Sequence, residues 1–103
     1  MGKKKVIWTK KAEIQMFAIM DYYADRNKSD SYSLKLKRAI DIKLSKIDFN
    51  VTLPKKASVK NIFYFVCNHI SVFFTIESDN LYIILIWDER RNPALLLKSL
   101  ESL

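Results

Sequence analysis

The chain has 103 residues, of which 18 are Lys or Arg and 11 are Asp or Glu, so its formal net charge at pH 7 is +7. This length, with half of the residues hydrophobic, fits one globular domain over residues 1–103. The single glycine, Gly2, lies at the terminus, which excludes the phosphate-cradling loops of Walker-type and Rossmann-type nucleotide enzymes. One cysteine, Cys67, and one histidine, His69, cannot assemble a Cys/His zinc site or a disulfide framework. We expect no metal and no cofactor.

The positive charge is concentrated in the first part of the chain. Residues 1–60 hold 15 Lys and Arg against 6 Asp and Glu, whereas residues 61–103 hold 3 against 5. This imbalance favours an anionic partner, although lysines that only solubilise helix faces give the same pattern. The lysines at residues 3–5 precede only three apolar residues, which is unlike a secretory signal, so we expect a cytoplasmic protein.

The first half of the chain predicts one strand and two helices. Residues 5–9 are β-prone and end in a threonine that can cap a helix over residues 10–26. A short polar break precedes a second helix, for which Ser29 or Asp30 is the predicted N-cap. Because the connection is short, the two helices should form an antiparallel hairpin. The predicted buried positions are Ala12, Met16, Ile19 and Tyr23 in the first helix and Leu36, Ile40, Leu44 and Ile47 in the second.

The second half predicts a small sheet. Residues 48–59 show no sustained period and are predicted to form a loop. Three runs rich in Ile, Val, Phe and Tyr follow at residues 61–67, 70–76 and 81–87, and they predict three strands in a meander. Polar connections interrupt these runs well before the length of about 20 apolar residues that a membrane-spanning helix needs. We therefore expect no membrane segment.

Turns and a final helix complete the predicted order. Because glycine is absent from these turns, Asn68 and either Asp79 or Asn80 are predicted to take the positive φ angles. Pro93 precedes a leucine-rich stretch over residues 94–103, which predicts a short amphipathic helix. The predicted order is β-α-α-β-β-β-α, an α+β fold.

The end of the last predicted strand carries the most specific pattern. Residues 86–93 read Ile-Trp-Asp-Glu-Arg-Arg-Asn-Pro, a strand that ends in an aromatic residue and continues into a basic pair. Together with the element order, this stretch resembles the RelE/ParE superfamily of toxins from bacterial type II toxin–antitoxin systems, its ParE-like branch above all. The resemblance implies a helix hairpin packed on one face of a small antiparallel sheet. Further matching residues are Val6, Ile7, Trp8, Thr9, Ala12, Asp21, Tyr22, Tyr23, Leu36, Ile40, Asn61, Ile62 and Leu96.

The resemblance implies one of two activities. Members of the RelE branch cut mRNA on the ribosome, whereas members of the ParE branch inhibit DNA gyrase. In both branches a cognate antitoxin, with an acidic and mostly disordered tail that folds as it binds, masks the toxin. A third possibility is an inactive, toxin-like binding module.

Metal-independent RNA cleavage would need basic side chains to stabilise the phosphorane charge and a group that protonates the leaving oxygen. Two features of the nuclease branch are missing, because Phe63 stands where an arginine is expected and no Tyr or His follows Pro93. Loss of one such donor typically costs about 100-fold to 1000-fold in rate, so a binding inhibitor is favoured over an endoribonuclease. The resemblance to the nuclease branch implies these candidate catalytic residues: Lys55, Lys56, Lys60, Arg90 and Arg91.

The predicted contacts with a target or antitoxin combine aromatic and basic residues: Tyr64, Trp87, Arg90 and Arg91. Rings on a sheet face that turns away from the helices can stack on bases or hold a peptide, although the same rings can serve as core. Asp88 could pair with Arg90 or cap the turn that follows the strand.

Two other reactive residue types have simpler interpretations. His69 follows Asn68 in a predicted hairpin turn, which favours a turn residue over a general base. Cys67 has no nucleophile elbow or His/Asp constellation around it in the sequence. We therefore expect a small buried side chain at this position.

Overall fold

The computed structural model describes residues 5–47, 55–56, 61–90 and 93–102. Within these ranges the chain forms three helices and one sheet of five strands. The elements are β1 (Lys5–Trp8), α1 (Lys10–Asn27), α2 (Ser31–Ser45), β2 (Lys55–Lys56), β3 (Phe63–Cys67), β4 (Ile70–Glu77), β5 (Asn80–Asp88) and α3 (Pro93–Glu101).

The strand order is β1-β5-β4-β3-β2, which confirms the predicted α+β class and succession of elements with two corrections. The sheet is mixed and not antiparallel, because β1 runs parallel to β5. These strands are far apart in the sequence, so no hairpin forces them to be antiparallel. Lys55–Lys56, predicted to be loop, form β2 and pair with β3.

Helix α1 starts where the chain leaves the sheet. The Thr9 backbone N–H donates to the Ile83 carbonyl at 3.1 Å, and its hydroxyl accepts from the Ala12 N–H at 3.3 Å. The threonine is therefore the predicted N-cap and also links β1 to β5. At the other end Lys28 adopts φ 55° and donates its N–H to carbonyls of the last turn, which ends the helix.

Helix α2 returns along α1 as predicted. Asp30 is its N-cap residue but makes no side-chain cap hydrogen bond, whereas the Ser29 hydroxyl accepts from the Ser31 N–H at 3.2 Å. Ser33, only 2% exposed, donates its hydroxyl to the Met20 carbonyl at 2.6 Å. This buried hydrogen bond joins the two helices and satisfies the hydroxyl that their packing removes from water.

The sheet face that contacts α1 and α2, called here the hairpin face, carries the first core. Six of the eight predicted helix positions are buried, and Ile19 and Ile47 are partly buried against them. The sheet residues in this cluster that are fully or almost fully buried are Ile70, Val72, Phe74, Leu81, Ile83 and Ile86.

Strand β5 contains a β-bulge. Its register to β4 steps from the pair Phe74 and Ile83 to the pair Phe73 and Leu85, which leaves Ile84 as the extra residue. A bulge of this kind shifts the alternation of side chains in the strand by one residue. Every residue of β5 beyond the bulge therefore points to the face opposite to the one that strict alternation from Leu81 would give.

The second core lies on the other side of the sheet, called here the α3 face. Leu85 and Trp87 of β5 cluster there with Phe73 and with Leu100 of α3, and all four are at most 5% exposed. Ile86, between the two β5 residues, belongs to the hairpin-face core. The bulge thus brings apolar residues of one strand into both cores.

One of the two hairpin turns uses the expected residue and the other does not. Asn68 has φ 57°, as predicted, but the second positive φ belongs to Ser78, at 56°, and not to Asp79 or Asn80. Glu77 still pairs with Asn80, so the turn contains only Ser78 and Asp79 and its first residue takes the left-handed conformation.

We predict that Phe74→Ala destabilises the protein by about 3–5 kcal/mol, because the ring is completely buried between β4 and the helix hairpin. Phe17→Ala is the matched control, since the Phe17 ring on α1 is 55% exposed, and should cost less than about 1 kcal/mol. Urea unfolding measures both free energies. Equal losses in the two variants would contradict this assignment of the core.

Candidate functional site

A groove of about 540 Å³ lies between α1 and the part of β5 beyond the bulge. Its lining combines apolar side chains with an ion pair. Ile86 and Asp88 reach the groove because the bulge turns them towards the hairpin face. The lining residues are Gln15, Ala18, Ile19, Tyr22, Tyr23, Ile86, Asp88 and Arg90.

Asp88 and Arg90 form that ion pair. Arg90 Nε donates to Asp88 Oδ1 at 3.0 Å and Nη2 donates to Oδ2 at 2.7 Å, a bidentate arrangement. The Arg90 backbone N–H also donates to Asp88 Oδ1 at 3.0 Å. Both alternatives considered for Asp88, pairing with Arg90 and capping the turn, are therefore confirmed.

Tyr23 of α1 contacts the guanidinium of Arg90. Arg90 Cζ lies 5.2 Å from the centre of the Tyr23 ring, a cation–π contact, and the Tyr23 hydroxyl lies 3.5 Å from Asp88 Oδ2. Tyr23 is 8% exposed and packs edge-on against Tyr22 and Tyr32. The buried ring therefore limits the positions available to Arg90, whose own side chain is 46% exposed.

Gln15 occupies the edge of β5. Pairing between β1 and β5 ends at Trp8 and Ile83. Three residues further on, the Ile86 N–H donates to Gln15 Oε1 at 2.9 Å. A side-chain amide oxygen of α1 thus takes the place that the carbonyl of a neighbouring strand would occupy.

The structure divides the predicted binding residues between two faces. Trp87 is 3% exposed in the core with Leu100, and Tyr64 stacks on Phe73 with ring centres 5.3 Å apart, both on the α3 face. Arg90 lies in the α1 groove on the other side. We therefore place Trp87 in the core and not among residues that contact a partner, because α3 covers the face that was expected to be free.

The candidate catalytic residues are described only in part. Lys55 and Lys56 lie in β2 opposite Tyr64 and Phe63. Lys60 and Arg91 lie outside the described residues. The Phe63 ring stacks on Phe74 with 6.1 Å between the ring centres and packs against the hairpin-face core. The residue that replaces the expected arginine therefore contributes to packing against the hairpin-face core and is partly buried.

The expectations for the single histidine and cysteine are confirmed. His69 lies in the β3–β4 turn, where its carbonyl accepts the Glu89 N–H at 2.7 Å. Cys67 is buried in the hairpin-face core. In the described ranges, His, Cys, Asp and Glu form no group of three or more that could hold a metal ion. Within the same ranges, no helix is both long enough and apolar enough to cross a membrane.

Sequence reasoning missed Gln15 and Tyr23 as site residues. Tyr23 is buried as predicted, but its contact with Arg90 also depends on the register of β5, which has no signal in the sequence. Gln15 lies outside the predicted apolar positions of the first helix, so nothing in its local pattern indicates a contact with the sheet. One signal is available in the sequence: the predicted strand over residues 5–9 is shorter than the predicted strand over residues 81–87. Where these two strands pair, part of the longer one has no partner strand.

Comparison with known proteins identifies the fold. No protein-family model matches the chain, and no curated protein matches it. Among solved structures, a chain described as "Chromosomal ParDE TA system from P. aeruginosa" superposes with a TM-score of 0.66 and 20% sequence identity. The superposition covers 81% of this chain and 92% of that chain. The two chains share one fold. This confirms the architecture expected from the RelE/ParE resemblance.

We predict that Gln15→Ala accelerates hydrogen exchange of the Ile86 amide and destabilises the protein by about 1–2 kcal/mol, because this N–H then loses its acceptor. Gln15→Glu keeps an oxygen acceptor at the same reach and should stay within about 0.5 kcal/mol of the wild type. NMR-detected exchange and urea unfolding provide the two readouts. Unchanged Ile86 exchange in the alanine variant would contradict the assigned role of Gln15.

Proposed function

We propose that this chain is the toxin of a toxin–antitoxin system, arrests growth by binding an essential target, and is neutralised by a cognate antitoxin. The observation that carries this proposal is the structural match to a chain of a ParDE system, which extends over 92% of that chain. DNA gyrase is the proposed target, in line with the ParE-like pattern at residues 86–93. The cytoplasm is the proposed location.

The charge of the chain suits an acidic antitoxin. The net charge of +7 attracts an anionic segment over distances beyond direct contact. At the groove, a partially exposed arginine lies on a tyrosine ring, and such Arg and Tyr pairs are typical of residues that contribute strongly to protein interfaces. We therefore propose Arg90 as a contact residue for the antitoxin or the target.

Two observations favour binding over RNA cleavage. Phe63 is partly buried against the hairpin-face core, and its phenyl ring has no donor for a phosphorane. Arg90 is held by the Asp88 carboxylate, which neutralises the charge that a transition state would need. A ribosome-dependent endoribonuclease is therefore the alternative function, and the experiment below distinguishes it from a binding inhibitor.

The test is induced expression of the chain in a bacterial host that lacks the partner. We expect growth arrest with intact mRNA and with DNA damage that depends on gyrase. Cuts in mRNA at defined codon positions would support the endoribonuclease in its place. Normal growth in the presence of soluble, folded protein would contradict the toxin proposal and indicate an inactive binding module.

We predict that Arg90→Ala combined with Arg91→Ala abolishes growth arrest or antitoxin binding, since loss of a central arginine costs about 2 kcal/mol of binding energy, or about 30-fold in Kd. Lys35→Ala combined with Arg38→Ala removes the same charge from the exposed face of α2 and is the matched control. The control should retain both properties. Circular dichroism must show that the double variants are folded, and an unchanged phenotype in a folded Arg90/Arg91 variant would overturn the assignment.

A further inference from the structure

One stretch of the sheet edge has no neighbouring strand in the part of the chain that the structure describes. Strand β1 accompanies β5 only as far as the pair Trp8 and Ile83, after which the chain turns into α1. Strand β5 continues to Asp88. The described residues place no strand beside this last part of β5 on the side where β1 ended. Such an edge is a template for a further strand.

Two side chains of the groove occupy positions that an added strand would fill. Gln15 Oε1 accepts the Ile86 N–H at 2.9 Å, and an amide oxygen has the same chemistry as a strand carbonyl. The Asp88 carboxylate accepts both Nε and Nη2 of Arg90. The protein itself therefore shows which groups the groove binds, namely a carbonyl oxygen at Ile86 and a carboxylate at Arg90.

We infer that the α1–β5 groove is a strand-addition site for an extended, acidic segment of a partner protein. The backbone carbonyl of the segment replaces Gln15 on the Ile86 N–H, and one of its carboxylates replaces Asp88 on Arg90. An apolar side chain between these two groups packs on Ile19 and Tyr23, which line the same groove. The inference rests on the proposed function only in naming the antitoxin as the source of the segment.

Charge decides between an acidic partner and a second copy of this chain. Two copies joined edge to edge would bring together two chains of net charge +7 and two Arg90 side chains. Like charges that face each other across paired strands are destabilising. A second basic side chain, Arg26, donates to the hydroxyl of the groove residue Tyr22 at 3.3 Å and adds to the attraction for an anion. The observations therefore favour an acidic segment from another protein.

The test uses a phage-displayed library of random twelve-residue peptides selected on the full chain. We expect the selected peptides to be acidic, to alternate apolar residues with polar ones, and to shift the Ile86 and Asp88 amide signals in NMR spectra. In the complex the Ile86 amide should exchange with solvent at least about tenfold more slowly than in the free chain. No enrichment, or enriched peptides that are basic, helical when bound or located elsewhere, would overturn the inference.

Variants separate the two replaced groups. With a selected peptide, Arg90→Ala should weaken binding by about tenfold or more, whereas Asp88→Asn should strengthen it several-fold because the competing carboxylate is gone. Gln15→Ala should also strengthen binding. Lys43→Ala is the control, since Lys43 donates to the Val66 carbonyl on β3, two strands away from β5, and should not alter Kd.

Two further measurements distinguish the strand-addition site from dimer formation and from the toxin proposal. A dimer of the free chain in analytical ultracentrifugation, with the Ile86 amide protected in it, would replace the partner segment by a second copy and overturn the inference. Growth arrest is measured without any partner, so its absence contradicts the toxin proposal alone. Failure of peptide binding contradicts the strand-addition site alone.

Discussion

The arrangement of the groove depends on the bulge at Ile84 in β5. Strict alternation from Leu81 would direct Trp87 to the helix hairpin and Asp88 to the opposite face. The extra residue reverses both, so that the indole packs under α3 and the carboxylate faces α1. Arg90 is bound to Asp88 by a bidentate ion pair and by a hydrogen bond from its backbone N–H. The bulge therefore also determines the side of the sheet on which the guanidinium lies.

Backbone groups at strand edges need hydrogen-bond partners, and side chains of the helices supply two of them. In the described ranges, each of α1 and α2 sends one polar side chain to a strand that extends beyond its shorter neighbour. Gln15 accepts from the Ile86 N–H on β5, and Lys43 donates to the Val66 carbonyl on β3. These contacts satisfy backbone groups that would otherwise be available for pairing with another chain. Both are side-chain contacts, which a partner can displace without breaking a backbone ladder.

Much of the fold could be predicted from local patterns. The three-and-four spacing of apolar residues located both helices, Thr9 marked a helix start, and the apolar runs located three of the strands. Neither the parallel pairing of β1 with β5 nor the bulge has such a signal. Residues 81–87 are apolar on both faces, so their sequence carries no alternation from which a change of face could be detected. The predicted site consequently grouped Trp87 with Arg90, which the structure separates.

The ion pair also changes how the net charge of +7 should be interpreted. Asp88 neutralises Arg90 within the groove, so the charge excess lies mainly elsewhere on the chain and acts at long range. Long-range charge accelerates encounter with an anionic partner but selects little among such partners. Selection then depends on whether a ligand can supply a carbonyl at Ile86 and a carboxylate at Arg90 together. A ligand that offers only one of these groups leaves either Gln15 or Asp88 in place and therefore gains less binding free energy. Each new hydrogen bond replaces an intramolecular one that is already formed, so its net contribution is small.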